Sequence, residues 1–136
     1  MLKTYFDTVI RSLSSYNWVK SVDTIRYGIA ENDQKYVLLY RLRAVLSDGS
    51  QLEMMERVVN TKTTGNILMT KYSFHWQKAN HNLIKRWDNA PHHSEIATYP
   101  HHIHVGREEN VMANFPVMAT DVFLLIDREF YEQNTD

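Results

Sequence analysis

The chain reads as an α+β domain: an N-terminal helix, a curved antiparallel β-meander of about five to six strands, and a C-terminal helix. Three observations predict it. Apolar residues recur at helical spacing only near the two ends. Between them, runs rich in β-branched and aromatic residues alternate with clusters of turn formers. An Asp-Gly step and an Asn-His step each join two such runs, which makes the strands on either side antiparallel.

Leu2, Tyr5, Phe6, Val9, Ile10 and Leu13 form the apolar stripe of the first helix, which Ser14, Ser15 and Asn17 end. From Val19 to Ala30 the helical period is lost and a strand is expected, closed by a turn at Glu31-Asn32-Asp33-Gln34. Lys35–Leu46 is a long strand. Its row Leu38, Tyr40, Leu42, Ala44 and Leu46 should face the core under a helix. A two-residue turn at Asp48-Gly49 would pair Val45 with Leu52, Arg43 with Met54, Arg41 with Glu56 and Leu39 with Val58. Arg41, Arg43 and Glu56 would then share the outer face.

Ile67–Trp76 and Leu83–Asp88 follow as a second hairpin. With Asn80-His81 as its turn, Trp76 pairs with Lys85, His75 with Arg86, Phe74 with Trp87 and Ser73 with Asp88. Tyr72, Phe74, Trp76 and Trp87 take one face, as core or as an aromatic platform. Ser73, His75, Gln77, Arg86 and Asp88 take the other. After a loop ending at Pro100, His101–Val105 is a short strand, with His102 and His104 pointing one way and His101 and Ile103 the other. Gly106–Phe115 reads as polar loop. Thr120 is the expected N-cap of the last helix, with Asp121 in its first turn and Val122, Phe123, Leu125, Ile126 and Phe130 as its stripe. Gln133–Asp136 should fray.

Composition narrows the function classes. The 136 residues fit one domain spanning 1–136, and 43% hydrophobic content supports a real core. A formal net charge of -1 provides no global field for nucleic acid or a membrane, so a polyanion would need a local cluster. The absence of cysteine excludes disulfides, thiolate metal sites and cysteine nucleophiles, and suits the cytoplasmic location we expect. No apolar run approaches the roughly 20 residues of a membrane span, so no membrane partner is expected.

Chemistry concentrates between Tyr72 and Val105. All seven histidines lie there, five of them between His92 and His104. The runs Tyr72-Ser73-Phe74-His75-Trp76-Gln77, Leu83-Ile84-Lys85-Arg86-Trp87-Asp88-Asn89-Ala90-Pro91-His92-His93 and Tyr99-Pro100-His101-His102-Ile103-His104-Val105-Gly106 resemble the signature of the TumE-type toxin family. These are small prokaryotic proteins of toxin–antitoxin pairs. Asn80-His81 departs from the Asp-Gly-like turn expected in that hairpin. The resemblance implies a cognate DNA-binding antitoxin encoded alongside. It implies no particular reaction, so the chemistry is argued from the residues.

Three readings fit them. The first is metal-independent RNA cleavage without a cofactor. His75, Arg86, Asp88, His102 and His104 would carry it: imidazoles as base and acid, Arg86 as a planar fork for the phosphate, Asp88 orienting an imidazole. Arg41, Arg43 and His92 would bind substrate, and Trp76, Trp87 or Tyr99 would stack an unpaired base. The second is a site for a divalent transition metal on His92, His102 and His104, although no established ligand spacing is present. The third is a non-catalytic histidine surface for the antitoxin or for a homodimer. Adjacent histidines on a regular strand point opposite ways, which marks His93 and His101 as the passengers of their pairs.

Overall fold

The computed structural model describes residues 1–134. Helix α1 spans Leu2–Ser14, followed by strands β1 (Val19–Glu31), β2 (Lys35–Leu46), β3 (Gln51–Thr61), β4 (Ile67–Gln77), β5 (Leu83–Asp88), β6 (His102–Val105) and β7 (Val111–Ala113), then helix α2 (Ala119–Asn134). The seven strands form one antiparallel sheet in sequence order. This is the expected α+β meander with one strand more than expected. β7, only three residues long, lies inside the stretch read as polar loop.

The two helices share the core face of the sheet. Leu42, Met54, Phe74, Trp87 and Ile103 are successive cross-strand partners from β2 to β6, and all are buried. Leu2, Phe6, Val9 and Leu13 of α1, and Val122, Phe123 and Ile126 of α2, complete the same core. Trp18 ties the layers: its ring stacks on Phe130 and its Nε1–H donates to Asp127 at 2.8 Å. The predicted row Leu38 to Leu46 is buried as expected.

The β2–β3 register differs from the sequence reading by one residue. Leu42 pairs with Met54 and Tyr40 with Glu56; Arg41 faces Met55 and Arg43 faces Glu53. The turn is a three-residue loop. Gly49 N–H donates to Leu46 O at 2.9 Å, Leu46 N–H to Ser50 O at 2.8 Å, and Gly49 has φ +84°. This is a tight turn followed by a left-handed residue, the alternative to a two-residue turn at an Asp-Gly step. A one-residue slip exchanges the faces of a strand. Glu56 is therefore fully buried, not solvated opposite Arg41, and Arg43 bonds Glu53 at 2.5 Å.

The β4–β5 register is the predicted one from Ser73 to Trp76. Its turn is again a three-residue loop with a left-handed residue, here His81 at φ +71°. An irregularity between Trp76 and Gln77 absorbs the extra residue. Thr120 does not cap α2. The helix begins at Ala119, which puts Thr120 inside its first turn, and Asp121 accepts the Met118 N–H at 2.8 Å. Leu125, placed on the stripe by spacing, is 37% exposed. Of the tail expected to fray, Gln133 and Asn134 are helical, and Thr135 and Asp136 lie outside the described residues.

Candidate functional site

The face of the sheet away from the helices carries a continuous polar row. Arg43, Glu53, His75, Arg86 and His104 are successive cross-strand partners from β2 to β6. Alongside run Arg41, Met55, Ser73, Asp88 and His102. At the β5–β6 end of these rows the polar groups are buried: Asp88 is 7%, His102 2% and His104 4% exposed. The β5–β6 connection and the loop after β6 supply the groups that close over them.

Asp88 is the hub. Its Oδ1 lies 2.9 Å from His102 Nε2 and accepts the Ala90 N–H at 3.0 Å. Its Oδ2 accepts Arg86 Nε–H at 3.0 Å and lies 3.7 Å from His104 Nε2. Arg86 Nη2 lies 3.1 Å from His104 Nε2. Both imidazoles are anchored from behind by main-chain carbonyls: His102 Nδ1 by Pro100 O at 2.8 Å, His104 Nδ1 by Glu108 O at 2.7 Å. A carbonyl can only accept, so each Nδ1 carries the proton and each Nε2 faces the cluster. His102 therefore faces an acceptor at both ring nitrogens.

Burial pushes the His104 imidazole below its ordinary value, and the Arg86 and His102 charges push the same way. The Glu108 carbonyl bond and Asp88 oppose this without reversing it. His104 is accordingly a neutral imidazole whose Nε2 lone pair points at a guanidinium. Among the described residues, every buried side-chain nitrogen and oxygen has a hydrogen-bond partner. The cluster is thus a satisfied and preorganised network.

Of the residues singled out in the sequence, Arg86, Asp88, His102 and His104 meet directly. His75 sits across from Arg86 as predicted, but its Nε2 bonds Gln77 at 3.1 Å, and it lines a neighbouring cleft. Arg41 and Arg43 stand on the same face but three strands from Arg86, about 14 Å at the usual strand spacing. Trp76 and Trp87 are each 2% exposed on the core face, and Trp76 Nε1–H donates to Ser50 at 3.0 Å. Their rings pack in the core, on the opposite side of the sheet from the cluster, which corrects the stacking role expected of them. Tyr99 is 44% exposed on the loop and remains open to a base.

His92 is exposed and His93 turns inward, the reverse of the passenger assignment. The His93 ring lies 5.3 Å from that of His102 and 5.9 Å from that of His104. Side chains alternate only on a regular strand, and His93 has φ +62° on a loop. Candidate ligand atoms of His93, His102 and His104 lie within 4.8 Å of one another, so His93 replaces His92 in the imidazole triad. Glu108, which nothing in the sequence marked, closes the site through both its carbonyl and its carboxylate. His101 faces away and bonds the Tyr72 hydroxyl at 2.8 Å.

The fold and cluster together define a small α+β protein with a buried His–Asp–Arg site on its helix-free sheet face. The family model described as Toxin TumE matches residues 7–133, and the chain belongs to that toxin family. No curated protein and no solved structure matches it. No helix among the described residues is long and apolar enough to cross a membrane.

Proposed function

We propose that this toxin is a metal-independent endoribonuclease acting through Arg86, Asp88, His102 and His104. The observation that carries the reading is the pair of carbonyl-anchored imidazoles whose Nε2 atoms converge on Asp88 and Arg86. RNA cleavage by its own 2′-hydroxyl needs a base, an acid and a cation for the phosphorane. Neutral His104 takes the 2′-hydroxyl proton at Nε2. The 2′-oxygen attacks phosphorus, and His102, acting as the acid with Asp88 orienting its ring, gives the Nε2 proton to the departing 5′-oxygen. Arg86 holds the non-bridging oxygens in its planar fork. The products are a 2′,3′-cyclic phosphate and a 5′-hydroxyl. His75 lines the approach, and Tyr99 is the aromatic face left for a base.

A second reading draws on the inward turn of His93. Imidazoles with Nδ1–H held by carbonyls are also how metal-binding histidines are oriented. His93, His102 and His104 would hold a divalent transition metal in place of the Arg86 contact. A toxin of this family also implies a DNA-binding antitoxin as partner, and self-association as a homodimer is compatible with either reading.

One experiment separates these readings. Growth arrest and RNA ends are followed for the parent and for His102→Ala, His104→Ala and Arg86→Lys, each checked for folding, with and without the neighbouring reading frame. Loss of about 10²–10⁴-fold in cleavage is expected for each histidine. Arg86→Lys should also be costly, since an ammonium lacks the fork. Cleavage should persist in chelator and yield cyclic phosphate ends. Near-stoichiometric metal that disappears in His93→Ala would favour the metal reading. Three folded variants as toxic as the parent would remove the nuclease site and leave a histidine surface that binds the antitoxin.

A further inference from the structure

Arg86 already faces a carboxylate at the place where cleavage needs a phosphate. Its Nη1–H donates to Glu108 Oε1 at 2.7 Å, and its Nη2 lies 2.6 Å from Glu108 Oε2. That is the two-point fork by which a guanidinium also holds a phosphate. The Glu108 side chain is 57% exposed and that of Arg86 23%, so the contact is reached from solvent on the Glu108 side.

The main chain of the loop does not depend on this carboxylate. Gly106 N–H donates to Ile84 O at 2.9 Å, Val105 N–H to Asn110 O at 3.1 Å, and Asn110 N–H to Arg107 O at 3.1 Å. The Glu108 carbonyl separately fixes His104. Rotation of the Glu108 side chain alone would expose the Arg86 fork and leave His104 in position. Beside it opens a cleft of about 780 Å³ whose charged lining is Lys78, Lys85 and Arg107 with Glu108 and Glu109, next to the imidazoles of His75 and His81; Lys85 is paired with Glu129 and Arg107 lies 3.7 Å from Glu109. Of the cleft's cations, Lys78 and the two imidazoles add to the field that an anion beside Arg86 would meet.

We infer that Arg86 heads a phosphodiester-binding subsite that lies behind Glu108 at the side of this cleft, and that the Glu108 carboxylate occupies it until a phosphate displaces it. The inference takes its ligand class from the RNA-cleaving reading and extends that reading by naming the side chain that holds the phosphate's place in the free protein. It also assigns to Glu108 control over how tightly the phosphate is held. A partly exposed ion pair is weak enough to be exchanged for another anion.

The test is calorimetric binding of inorganic phosphate at low salt to the full chain, alongside cleavage of a short single-stranded RNA. Glu108→Gln and Glu108→Ala should each tighten phosphate binding about fivefold, the scale of a partly exposed pair. They should also lower KM for RNA more than they change kcat. Adding Arg86→Gln to Glu108→Gln should abolish the gain. Asp33→Asn, which removes one negative charge at the distant β1–β2 turn, should leave binding unchanged. Equal phosphate affinity in the parent and both Glu108 variants would overturn the subsite, as would a gain that survives Arg86→Gln. If RNA is cleaved while phosphate binding ignores residue 108, the subsite falls and the nuclease reading stands. If phosphate tightens as expected and no variant cleaves RNA, the subsite stands and the nuclease reading falls.

Discussion

At Glu56 a carboxyl group lies fully buried between α1 and the sheet, accepting hydrogen bonds from the hydroxyls of Tyr5, at 2.8 Å, and of Tyr40. Burial pushes this carboxyl above its ordinary value, and the tyrosine bonds offset only part of that. Burial and the neighbouring Glu56 likewise push the Tyr5 and Tyr40 hydroxyls well up, so both stay donors. The sign of the linkage follows. In the window between the ordinary carboxylate value and the raised one, the folded chain binds more protons than the unfolded chain. Stability from this group is fully present below that window and is lost as pH rises through it. Glu56→Gln keeps an oxygen for the tyrosines and removes the titration. The variant should therefore gain stability relative to the parent as pH is raised from acid to neutral. Denaturant midpoints of both proteins across that range measure it, and a difference that does not change with pH would contradict it.

Two hairpin turns show how an element transmits its loop length to the site. Both close with the same pair of main-chain bonds: Gly49 N–H to Leu46 O and Leu46 N–H to Ser50 O in one, His81 N–H to Lys78 O and Lys78 N–H to Asn82 O in the other. In each an Asx side chain also accepts a main-chain N–H two residues on, Asp48 from Ser50 and Asn80 from Asn82. The left-handed position is glycine in the first and histidine in the second. A side chain there crowds the following carbonyl at a cost of about 1–2 kcal/mol. His81→Gly, after the extra freedom of glycine in the unfolded chain is set against this, should stabilise the protein by about 1 kcal/mol. Urea unfolding checks it, and a less stable variant would show that the side-chain bond between His81 Nδ1 and Gln77 Nε2, 3.1 Å long, outweighs the strain. The same turns explain what was legible in the sequence. Alternation placed Leu38 to Leu46 correctly, because it depends on one strand alone. Pairing depends on loop length, and Asp-Gly suits both a two- and a three-residue loop, so spacing alone puts Glu56 and Arg41 on a shared face they do not have. The β4–β5 pairing of His75 with Arg86 was readable because an irregularity next to the turn cancels its extra residue. His93 and Glu108 reach the cluster from loops, where no period constrains direction, and β7 is too short to show one.

The whole molecule divides its labour between the two faces of the sheet. One face is closed by two helices over a single core; the other carries the polar row, buried only where loops close over its β5–β6 end. Trp87 stands at the junction. It lies between Arg86 and Asp88 in sequence, yet its ring points through the sheet into the core, across from Phe74 and Ile103. A role in packing and a role in stacking substrate predict different outcomes for one substitution. Trp87→Leu removes the aromatic surface while keeping an apolar side chain, so a core role costs stability and spares chemistry. The loss should be about 2–4 kcal/mol, below the cost of truncation to alanine because leucine refills part of the space. Cleavage and growth arrest, normalised to the folded fraction, should stay within a few-fold of the parent, since the main chain that carries Arg86 and Asp88 is held by β4 and β6 on either side. A variant that keeps its stability and loses activity per folded molecule would instead return Trp87 to the site and require an opened state in which its ring meets the substrate.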